Sequence, residues 1–380
     1  MPPTSVTPTT KSIRVMIVDD SALMRKLLTQ LLSRNSEIEI VDTAMDGQFA
    51  LDHLRRVRPD VILMDVEMPR LDGLTALDRI VADYGLPVVM CSAHTSAGAK
   101  STIDALARGA VDFIEKPSLA ALTSGAAASE IISRVRGAAG ARVTVRHRPP
   151  PVSTGAPPPP APPAASLSTR SVIEQIRSSA NRTQPEIIAI GTSTGGPPAL
   201  EQVLAVLPDN FPLGIVIVQH MPPGFTSLLA EHLNRNTRIE VREAVDGEPI
   251  RPGLALIAPG GAHLKVLRAG AQYVASVDTN GPLVSGHRPS VDVLFDSLVA
   301  ASRGRVASVL MTGMGSDGAA GLGRLAEAGA VTIAQSPESC VCFGMPKSAI
   351  DRGYARAVLP LEDIGSAIAA CGSGGHSKPS

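Results

Sequence analysis

A serine between glycines is the first chemically suggestive feature of this 380-residue chain. Ser193 stands in Gly191-Thr192-Ser193-Thr194-Gly195, which matches the pattern G-x-S-x-G. In that pattern the glycines allow a sharp strand-to-helix turn that presents the serine hydroxyl as a nucleophile. An ordinary glycine-rich turn has the same spacing, so the pattern alone leaves both interpretations open. The spacing does not match the dinucleotide-binding pattern G-x-G-x-x-G.

A histidine and an aspartate follow later apolar runs and could complete a nucleophilic set with this serine. His220 comes directly after the run 214–219, and Asp317 lies in the glycine-rich sequence TGMGSDG at 312–318. A neutral histidine accepts the serine proton, and an aspartate orients the histidine and stabilises the imidazolium. The backbone N–H of Met314, in the same loop, could stabilise an oxyanion.

Each of these assignments has a competing interpretation. His263 and His287 compete with His220, and His287 could instead shape a substrate pocket. Asp317 could be only the N-cap of the helix expected after it. The chain order Ser–His–Asp differs from the order Ser–Asp–His of α/β-hydrolases, so that fold is not implied.

A second set of polar residues follows apolar runs in the first 120 residues. Asp19 and Asp20 follow the first run, Asp65 the third, Ser92 the fourth and Lys116 the fifth. Three carboxylates at one sheet edge repel each other unless a divalent cation neutralises them, and few ligands with room for water suit Mg²⁺. The lysine and the hydroxyl could bind the oxygens of a phosphoryl group on one carboxylate. Acids at strand ends also cap helices, as Asp20 could, but five residues in five such places favour a phosphorylation site.

Two alternating patterns of strands and helices would position these residues. In the first pattern we expect strands at 13–18, 37–41, 61–64, 87–91 and 110–114. In the second we expect strands at 186–190, 214–219, 255–258, 306–311, 330–334 and 356–359, with a hairpin at 262–268 and 272–278. Such alternation predicts parallel sheets with helices on both faces and sites at the carboxyl ends of the strands. The predicted fold is α/β, with two doubly wound parallel-sheet domains, one flavodoxin-like and one Rossmann-like.

The segment between the two patterns has the composition of a spacer. Nine of the 32 prolines fall between Pro149 and Pro163, among alanines, serines and threonines. This composition favours extended segments that bury no core. We therefore predict a linker at 137–183 between domains at 12–130 and 184–372.

The composition argues against several classes of protein. The formal net charge of +0 gives no broad basic surface for nucleic acid or anionic lipid. No apolar run reaches the roughly 18 residues of a membrane helix, and the four cysteines suit a reducing compartment better than a disulfide framework. We predict a cytoplasmic protein with no nucleic-acid partner and no direct membrane insertion.

The first pattern resembles the response-regulator receiver family over residues 12–130. The matching sequences are VDDS at 18–21, MDVEMP at 64–69, DG at 72–73 and EKP at 115–117. The resemblance implies that Asp65 accepts a phosphoryl group and that Asp19, Asp20 and Asp65 hold Mg²⁺. It also implies three switch residues, namely Ser92, Phe113 and the phosphate-binding Lys116.

The whole chain is similar to the chemotaxis protein-glutamate methylesterases, the CheB family. The matching sequences in the second pattern are IGTSTGG at 190–196, QHMPPGF at 219–225, IAPG at 257–260, HRPSVDVLF at 287–295, TGMGSDG at 312–318 and FGMP at 343–346. The resemblance implies a catalytic triad of Ser193, His220 and Asp317. It further implies that Met314 supplies an oxyanion amide and that Thr194 lines the site.

The resemblance also implies an activity and its partners. The expected enzyme is a serine-type ester hydrolase that demethylates glutamyl methyl esters, and deamidates glutamines, on methyl-accepting chemotaxis receptors. A histidine kinase would phosphorylate Asp65 and so raise the activity. The esterase step needs no cofactor, so Mg²⁺ belongs to the receiver alone, and we expect a monomer.

Three other classes of function were weighed. A receiver with a DNA-binding output would need a basic recognition helix, which the second pattern lacks. A nucleotide-dependent oxidoreductase would need the G-x-G-x-x-G pattern. A catalytically silent adaptor that only titrates phosphate stays open, because a sequence does not prove turnover.

Overall fold

The computed structural model of the chain describes residues 12–92, 95–117, 125–141, 143 and 167–372. The chain divides into two compact units, Met1–Arg146 and His147–Ser380. Each unit is built on its own parallel sheet with helices around it. The predicted α/β class with two parallel-sheet domains is therefore confirmed.

The first unit has a five-stranded parallel sheet in the order β2-β1-β3-β4-β5. Its strands are β1 Ile13–Val18, β2 Ile38–Ala44, β3 Val61–Asp65, β4 Val88–Ser92 and β5 Asp112–Glu115. Its helices are α1 Ala22–Leu32, α2 Gly47–Leu54, α3 Gly73–Arg79 (continued by the π-helical turn Ile80–Tyr84), α4 Ser96–Arg108 and α5 Gly125–Ala139. The strand order reverses between β1 and β3, and such a switch point forms a crevice at the carboxyl ends of the strands.

The second unit has a seven-stranded parallel sheet in the order β15-β14-β13-β6-β7-β10-β8. Its strands are β6 Ile187–Thr192, β7 Gly214–Gln219, β8 Glu240–Glu243, β10 Leu254–Ile257, β13 Val306–Leu310, β14 Val331–Gln335 and β15 Ala357–Leu359. A separate antiparallel sheet in the order β11-β12-β9 contains β9 Pro249–Ile250, β11 His263–Ala269 and β12 Gln272–Asp278. The helices are α6 Leu167–Thr183, α7 Gly196–Ala205, α8 Phe225–Asn236, α9 Val291–Ser302, α10 Ala319–Glu327, α11 Met345–Asp351 and α12 Leu361–Gly372.

The core of the second unit fixes the strand ends that carry polar residues. Phe295 and Leu298 of α9, with Leu322 of α10, are fully buried in one apolar cluster. Burying a side chain of this size stabilises a fold by about 1.5–3 kcal/mol. The sheet order reverses between β6 and β13, so the switch point lies where β6, β7 and β13 end side by side.

The predicted strands are all present, with their ends shifted by a few residues. The sequence prediction omitted β8 and β9, because β8 is a short, charged edge strand and β9 has two residues. Most of the predicted linker at 137–183 lies outside the described residues, although α6 covers its end. None of the helices described combines the length and the apolar composition that a membrane span needs.

Candidate active site

Ser193 lies on the turn between β6 and α7, where the pattern G-x-S-x-G predicted a sharp bend. Gly195 has a φ of 77°, and a Cβ there would lie 2.5 Å from the Cβ of Val341. Both the backbone conformation and the close approach therefore require glycine. The Ser193 N–H donates to the Thr312 carbonyl at 3.0 Å, and the Gly196 N–H donates to the Ser193 carbonyl at 2.8 Å. These bonds fix the serine at the carboxyl edge of the sheet.

His220 and Asp317 form a buried hydrogen-bonded pair beside this turn. His220 Nε2 lies 2.7 Å from Asp317 Oδ2. The His220 N–H donates to the carbonyl of Thr192, the neighbour of Ser193, at 3.1 Å. Among the described residues, His220 Nδ1 has no hydrogen-bond partner. The carboxylate thus occupies one ring nitrogen and leaves the other to exchange a proton with a hydroxyl, as a triad requires.

The Asp317 carboxylate receives four hydrogen bonds. Besides His220, its donors are the Ser290 hydroxyl at 2.8 Å and the N–H groups of Val291 at 2.7 Å and Asp292 at 3.2 Å. Burial would raise the pKa of Asp317, but the hydrogen bond and charge of His220, with donors from α9, lower that pKa to about 2. Asp317 is therefore ionised at neutral pH and can stabilise an imidazolium.

The three histidines that competed for the catalytic role lie in different surroundings in the structure. His263 accepts the Ser290 N–H at Nδ1, at 3.2 Å, and its Nε2 lies 2.8 Å from the carbonyl oxygen of Pro282. Both of its ring nitrogens are therefore occupied. His287 stacks on the His220 ring, with the ring centroids 3.8 Å apart and the planes inclined by 12°. His220 is the histidine whose ring nitrogen the structure places against the Asp317 carboxylate, at 2.7 Å.

The alternative for Asp317, that it caps the following helix, does not hold. The N-cap residue of α10 is Gly318, and no side chain bonds the start of that helix as a cap. The Asp317 carboxylate instead binds the start of α9.

The loop between β13 and α10 lies directly against Ser193. A Cβ at Gly313 would be 2.8 Å from the Cβ of Ser193, and the Gly313 N–H donates to the Cys342 carbonyl at 3.0 Å. Met314 follows Gly313, and Thr194 follows Ser193. The structure thus brings both residues to the predicted site, and their roles at the oxyanion and in the lining stay predictions.

Gln219 belongs to the site although the sequence analysis did not single it out. Its Nε2 donates to the carbonyls of Ser193 at 2.9 Å and His220 at 3.3 Å, and its Oε1 accepts the Thr192 hydroxyl. This buried amide ties the backbone of the serine to that of the histidine. A polar residue that ends an apolar strand was the signal that could have found it.

The first unit brings its predicted acidic residues together at the carboxyl ends of β1 and β3. One oxygen from each of Asp19, Asp20 and Asp65 lies within 4.8 Å of the others. Lys116 Nζ is 2.6 Å from Asp65 Oδ2 and 3.0 Å from Asp19 Oδ2. Burial raises the pKa of Asp65, and the Asp19 charge adds to this effect, whereas the hydrogen bond and charge of Lys116 oppose it.

This donor set fits a small divalent cation. All three candidate ligands are carboxylates, and carboxylate oxygens are the donors that Mg²⁺ prefers in proteins. The buried Asp19 Oδ2 accepts no hydrogen bond from the described residues, although Lys116 approaches it as an ion pair. A carboxylate oxygen in that situation is suited to bind a metal ion.

The two remaining predicted receiver residues lie on the strands beside this cluster. Ser92 ends β4, is fully buried, and its carbonyl accepts the Lys116 N–H at 2.7 Å. Phe113 lies on β5, and the Arg134 guanidinium carbon is 5.5 Å from its ring centroid. Their roles in a phosphorylation switch stay predictions.

Comparisons with known proteins find relatives for both units. The sequence model of the CheB methylesterase family matches residues 188–368, and that of the response regulator receiver domain matches residues 15–125. Protein-glutamate methylesterase/protein-glutamine glutaminase 1 of Chromobacterium violaceum is 50% identical, over 94% of this chain and 99% of its own length. Protein-glutamate methylesterase/protein-glutamine glutaminase 2 of Dechloromonas aromatica is 48% identical, over 95% of this chain and 98% of its own length. The crystal structure of the Thermotoga maritima CheB methylesterase catalytic domain is 41% identical, with a TM-score of 0.48, over 49% of this chain and 97% of that one.

Proposed function

We propose that this chain, which belongs to the CheB family of protein-glutamate methylesterase/protein-glutamine glutaminases, is a phosphorylation-regulated hydrolase of chemotaxis receptors. It demethylates glutamyl methyl esters and deamidates glutamines on methyl-accepting receptors, and so serves sensory adaptation. The family supports the reaction class. The observation that carries the assignment to particular residues is the buried His220–Asp317 pair beside Ser193.

Ser193 is the proposed nucleophile. Its Oγ attacks the γ-carbonyl carbon of the substrate while His220 takes the hydroxyl proton at Nδ1, and Asp317 stabilises the imidazolium through the bond at Nε2. The proton then passes from His220 to the leaving group, which departs as methanol or ammonia. A water molecule that His220 deprotonates attacks the acyl-enzyme, which releases glutamate and restores Ser193.

The developing oxyanion needs a donor near Ser193. The proposed donor is the backbone N–H of Met314, because its loop packs on the serine. One such donor is worth about 10²–10³ in rate. Thr194, the residue that follows Ser193, is proposed to line the active site.

Asp65 is the proposed phosphoryl acceptor of the first unit, and a histidine kinase is the proposed phosphodonor. Mg²⁺ held by Asp19, Asp20 and Asp65 would neutralise the charge of the phosphoryl group and the carboxylates. Lys116 would release Asp19 and bind a phosphoryl oxygen, because its ammonium group already lies against Asp65. Ser92 and Phe113 are the proposed residues that respond to this change. We assign no cofactor to the esterase step.

The remaining assignments concern organisation and compartment. We propose a receiver domain at 12–130, a linker at 137–183 and a catalytic domain at 184–372, supported by the two compact units and the matched ranges. None of the four cysteines, all of which lie in the described part of the chain, forms a disulfide, which supports the cytoplasm as the compartment. We propose a monomer without a nucleic-acid partner and without direct membrane insertion.

The decisive experiment is to measure methanol release from methylated receptor membranes by the wild type and by Ser193→Ala. We expect Ser193→Ala to lower the rate by at least about 10³-fold, because the triad acts as a unit. Ser178→Ala, at an exposed serine of α6, is the control and should keep the wild-type rate. Release that persists in Ser193→Ala would contradict the mechanism, and no release by the wild type would favour the adaptor.

A further inference from the structure

The start of α9 holds the oxygen of Asp317 that the catalytic histidine does not use. His220 binds Oδ2, whereas the Ser290 hydroxyl donates to Oδ1 at 2.8 Å. Ser290 has no solvent exposure. The torsion that rotates an aspartate carboxylate has only broad minima, so the carboxylate has little orientation of its own. Donors on the second oxygen supply that orientation, and the Ser290 hydroxyl is the shorter contact of the two, the other being the Asp292 N–H at 3.2 Å.

We propose that Ser290 is a positioning residue for the hydrolysis: its hydroxyl holds the Asp317 carboxylate so that Oδ2 stays directed at His220 Nε2. The inference rests on the function proposed above. Ser290 acts through Asp317 and contacts neither the substrate nor the reacting atoms.

The backbone of Ser290 is held by a hydrogen bond to His263. Its N–H donates to His263 Nδ1 at 3.2 Å, and His263 Nε2 donates to the Pro282 carbonyl at 2.8 Å. His263 can make both bonds only as the neutral tautomer that carries its proton on Nε2. A buried chain of hydrogen bonds therefore runs from Pro282 through His263 and Ser290 to Asp317.

A hydroxyl suits this position because it serves two bonds at once. Ser290 Oγ accepts the Val293 N–H at 3.4 Å as the N-cap of α9, while its proton goes to Asp317. An aspartate could cap the helix equally well, but its carboxylate would repel Asp317. A serine at position 290 therefore does more than cap α9, because it also donates a hydrogen bond to Asp317.

The starts of α9 and α10 are joined by two carboxylates, each of which accepts hydrogen bonds from the other helix. Asp317, just before α10, binds the first turn of α9. Asp292, in the first turn of α9, accepts the Gly321 N–H of α10 at 2.6 Å. This reciprocal contact keeps Ser290 and Asp317 in register.

The test compares Ser290→Ala with a matched serine of the same helix in the full-length protein. Ser302 lies in the last turn of α9, is fully buried, and donates to the Leu298 carbonyl at 2.7 Å. Ser302→Ala therefore removes one buried hydrogen bond from α9 without touching Asp317. Ser290→Cys keeps nearly the same volume but offers only a weak donor, and is the second variant if the alanine variant fails to fold.

We expect Ser290→Ala to lower kcat for methanol release by about 10- to 100-fold with KM within about twofold, the loss appropriate to one charge-assisted hydrogen bond. The acid limb of its kcat/KM profile should move to lower pH, because a carboxylate that is no longer held towards His220 stabilises the imidazolium less. Ser290→Cys should show the same changes, and Ser302→Ala should show neither.

An unchanged kcat and pH profile in the Ser290 variants would overturn the proposal, and so would equal changes in Ser302→Ala. Wild-type release abolished by Ser193→Ala establishes the proposed function independently of these variants. No release by the wild type would instead overturn the proposed function, and release that persists in Ser193→Ala would overturn the assignment of Ser193. The two failures are therefore distinguishable.

Discussion

At the scale of single residues, buried amide side chains hold the loops around the nucleophile. Gln219 binds the Ser193 and His220 carbonyls. Gln335, at the end of β14, accepts the Thr312 N–H at 2.8 Å and donates to the Ser339 carbonyl at 2.7 Å. Because a buried polar group without a partner is costly, these amides favour one arrangement of the loops.

Close packing at the start of α7 gives a test at this scale. A Cβ at Gly196 would lie 1.9 Å from Gln219 Oε1 and 2.6 Å from Thr192 Oγ1. We expect Gly196→Ala to displace Gln219, to lower methanol release by about 100-fold, and to destabilise the protein by about 1–3 kcal/mol, as overpacking does. Esterase assays and urea unfolding measure the two effects. Pro198→Ala on the same helix adds no atoms and is the control; equal behaviour of the two variants would contradict the argument.

At the scale of elements, a buried ion pair attaches α5 to the first sheet. Arg134 Nη1 lies 2.6 Å from Asp112 Oδ1, and the two side chains are only 16% and 6% exposed. Burial would lower the pKa of Arg134, but the charges of Asp112 and Glu130 outweigh it and raise that pKa. The guanidinium also lies over the Phe113 ring. The ion pair and the ring contact therefore both join α5 to β5 through Arg134.

Replacing Arg134 tests how much the buried ion pair stabilises the first unit. We expect Arg134→Met to lower the free energy of unfolding of the first unit by about 3 kcal/mol, because the buried Asp112 carboxylate loses the positive charge that Arg134 places against it. Arg108→Met breaks a pair with Asp78 whose side chains are both nearly half exposed, and should cost less than about 1 kcal/mol. Urea unfolding of the first unit measures both changes. Equal costs for the two variants would argue against a special role of the buried pair.

At the scale of the whole molecule, each unit places its reactive side chains at the switch point of its own sheet. In the first unit Asp19 follows β1 and Asp65 ends β3, the strands on either side of its switch point. In the second unit Ser193 follows β6 and Asp317 lies in the loop after β13, the strands on either side of its switch point. The residues proposed for phosphorylation and those proposed for hydrolysis lie in different units. Regulation and hydrolysis can therefore be separated by substitution.

Replacing the phosphoryl acceptor tests that separation. We expect Asp65→Asn to abolish the stimulation of methanol release by a small-molecule phosphodonor with Mg²⁺, because an amide cannot form the acyl phosphate. Basal release should persist, since the catalytic residues lie in the other unit. Asp83→Asn, at an exposed aspartate of the π-helical turn, should respond like the wild type. Stimulation that survives in Asp65→Asn would refute the assignment.

The amino-acid sequence alone predicts the two sheets, the turn that carries Ser193 and the family. Alternating apolar runs are local signals, and the predicted strands appear in the structure because each run suits a buried parallel strand. The resemblance to the CheB family rests on contiguous motifs, and it is confirmed by relatives whose sequences are 50% and 48% identical to this chain. Short elements with mixed composition, such as β8, gave no such signal.

Which polar groups contact each other depends on the tertiary structure. His220 and Asp317 are 97 residues apart in the chain, and the sequence alone left His263 and His287 as rivals of His220. Nothing local indicated that Asp317 binds the start of α9 in place of capping α10, or that Ser290 and Gln219 hold the site. The physical reason is that these contacts depend on the order of strands in the sheet, which brings distant strand ends together. A local pattern specifies an element, but the order in which elements pack specifies its neighbours.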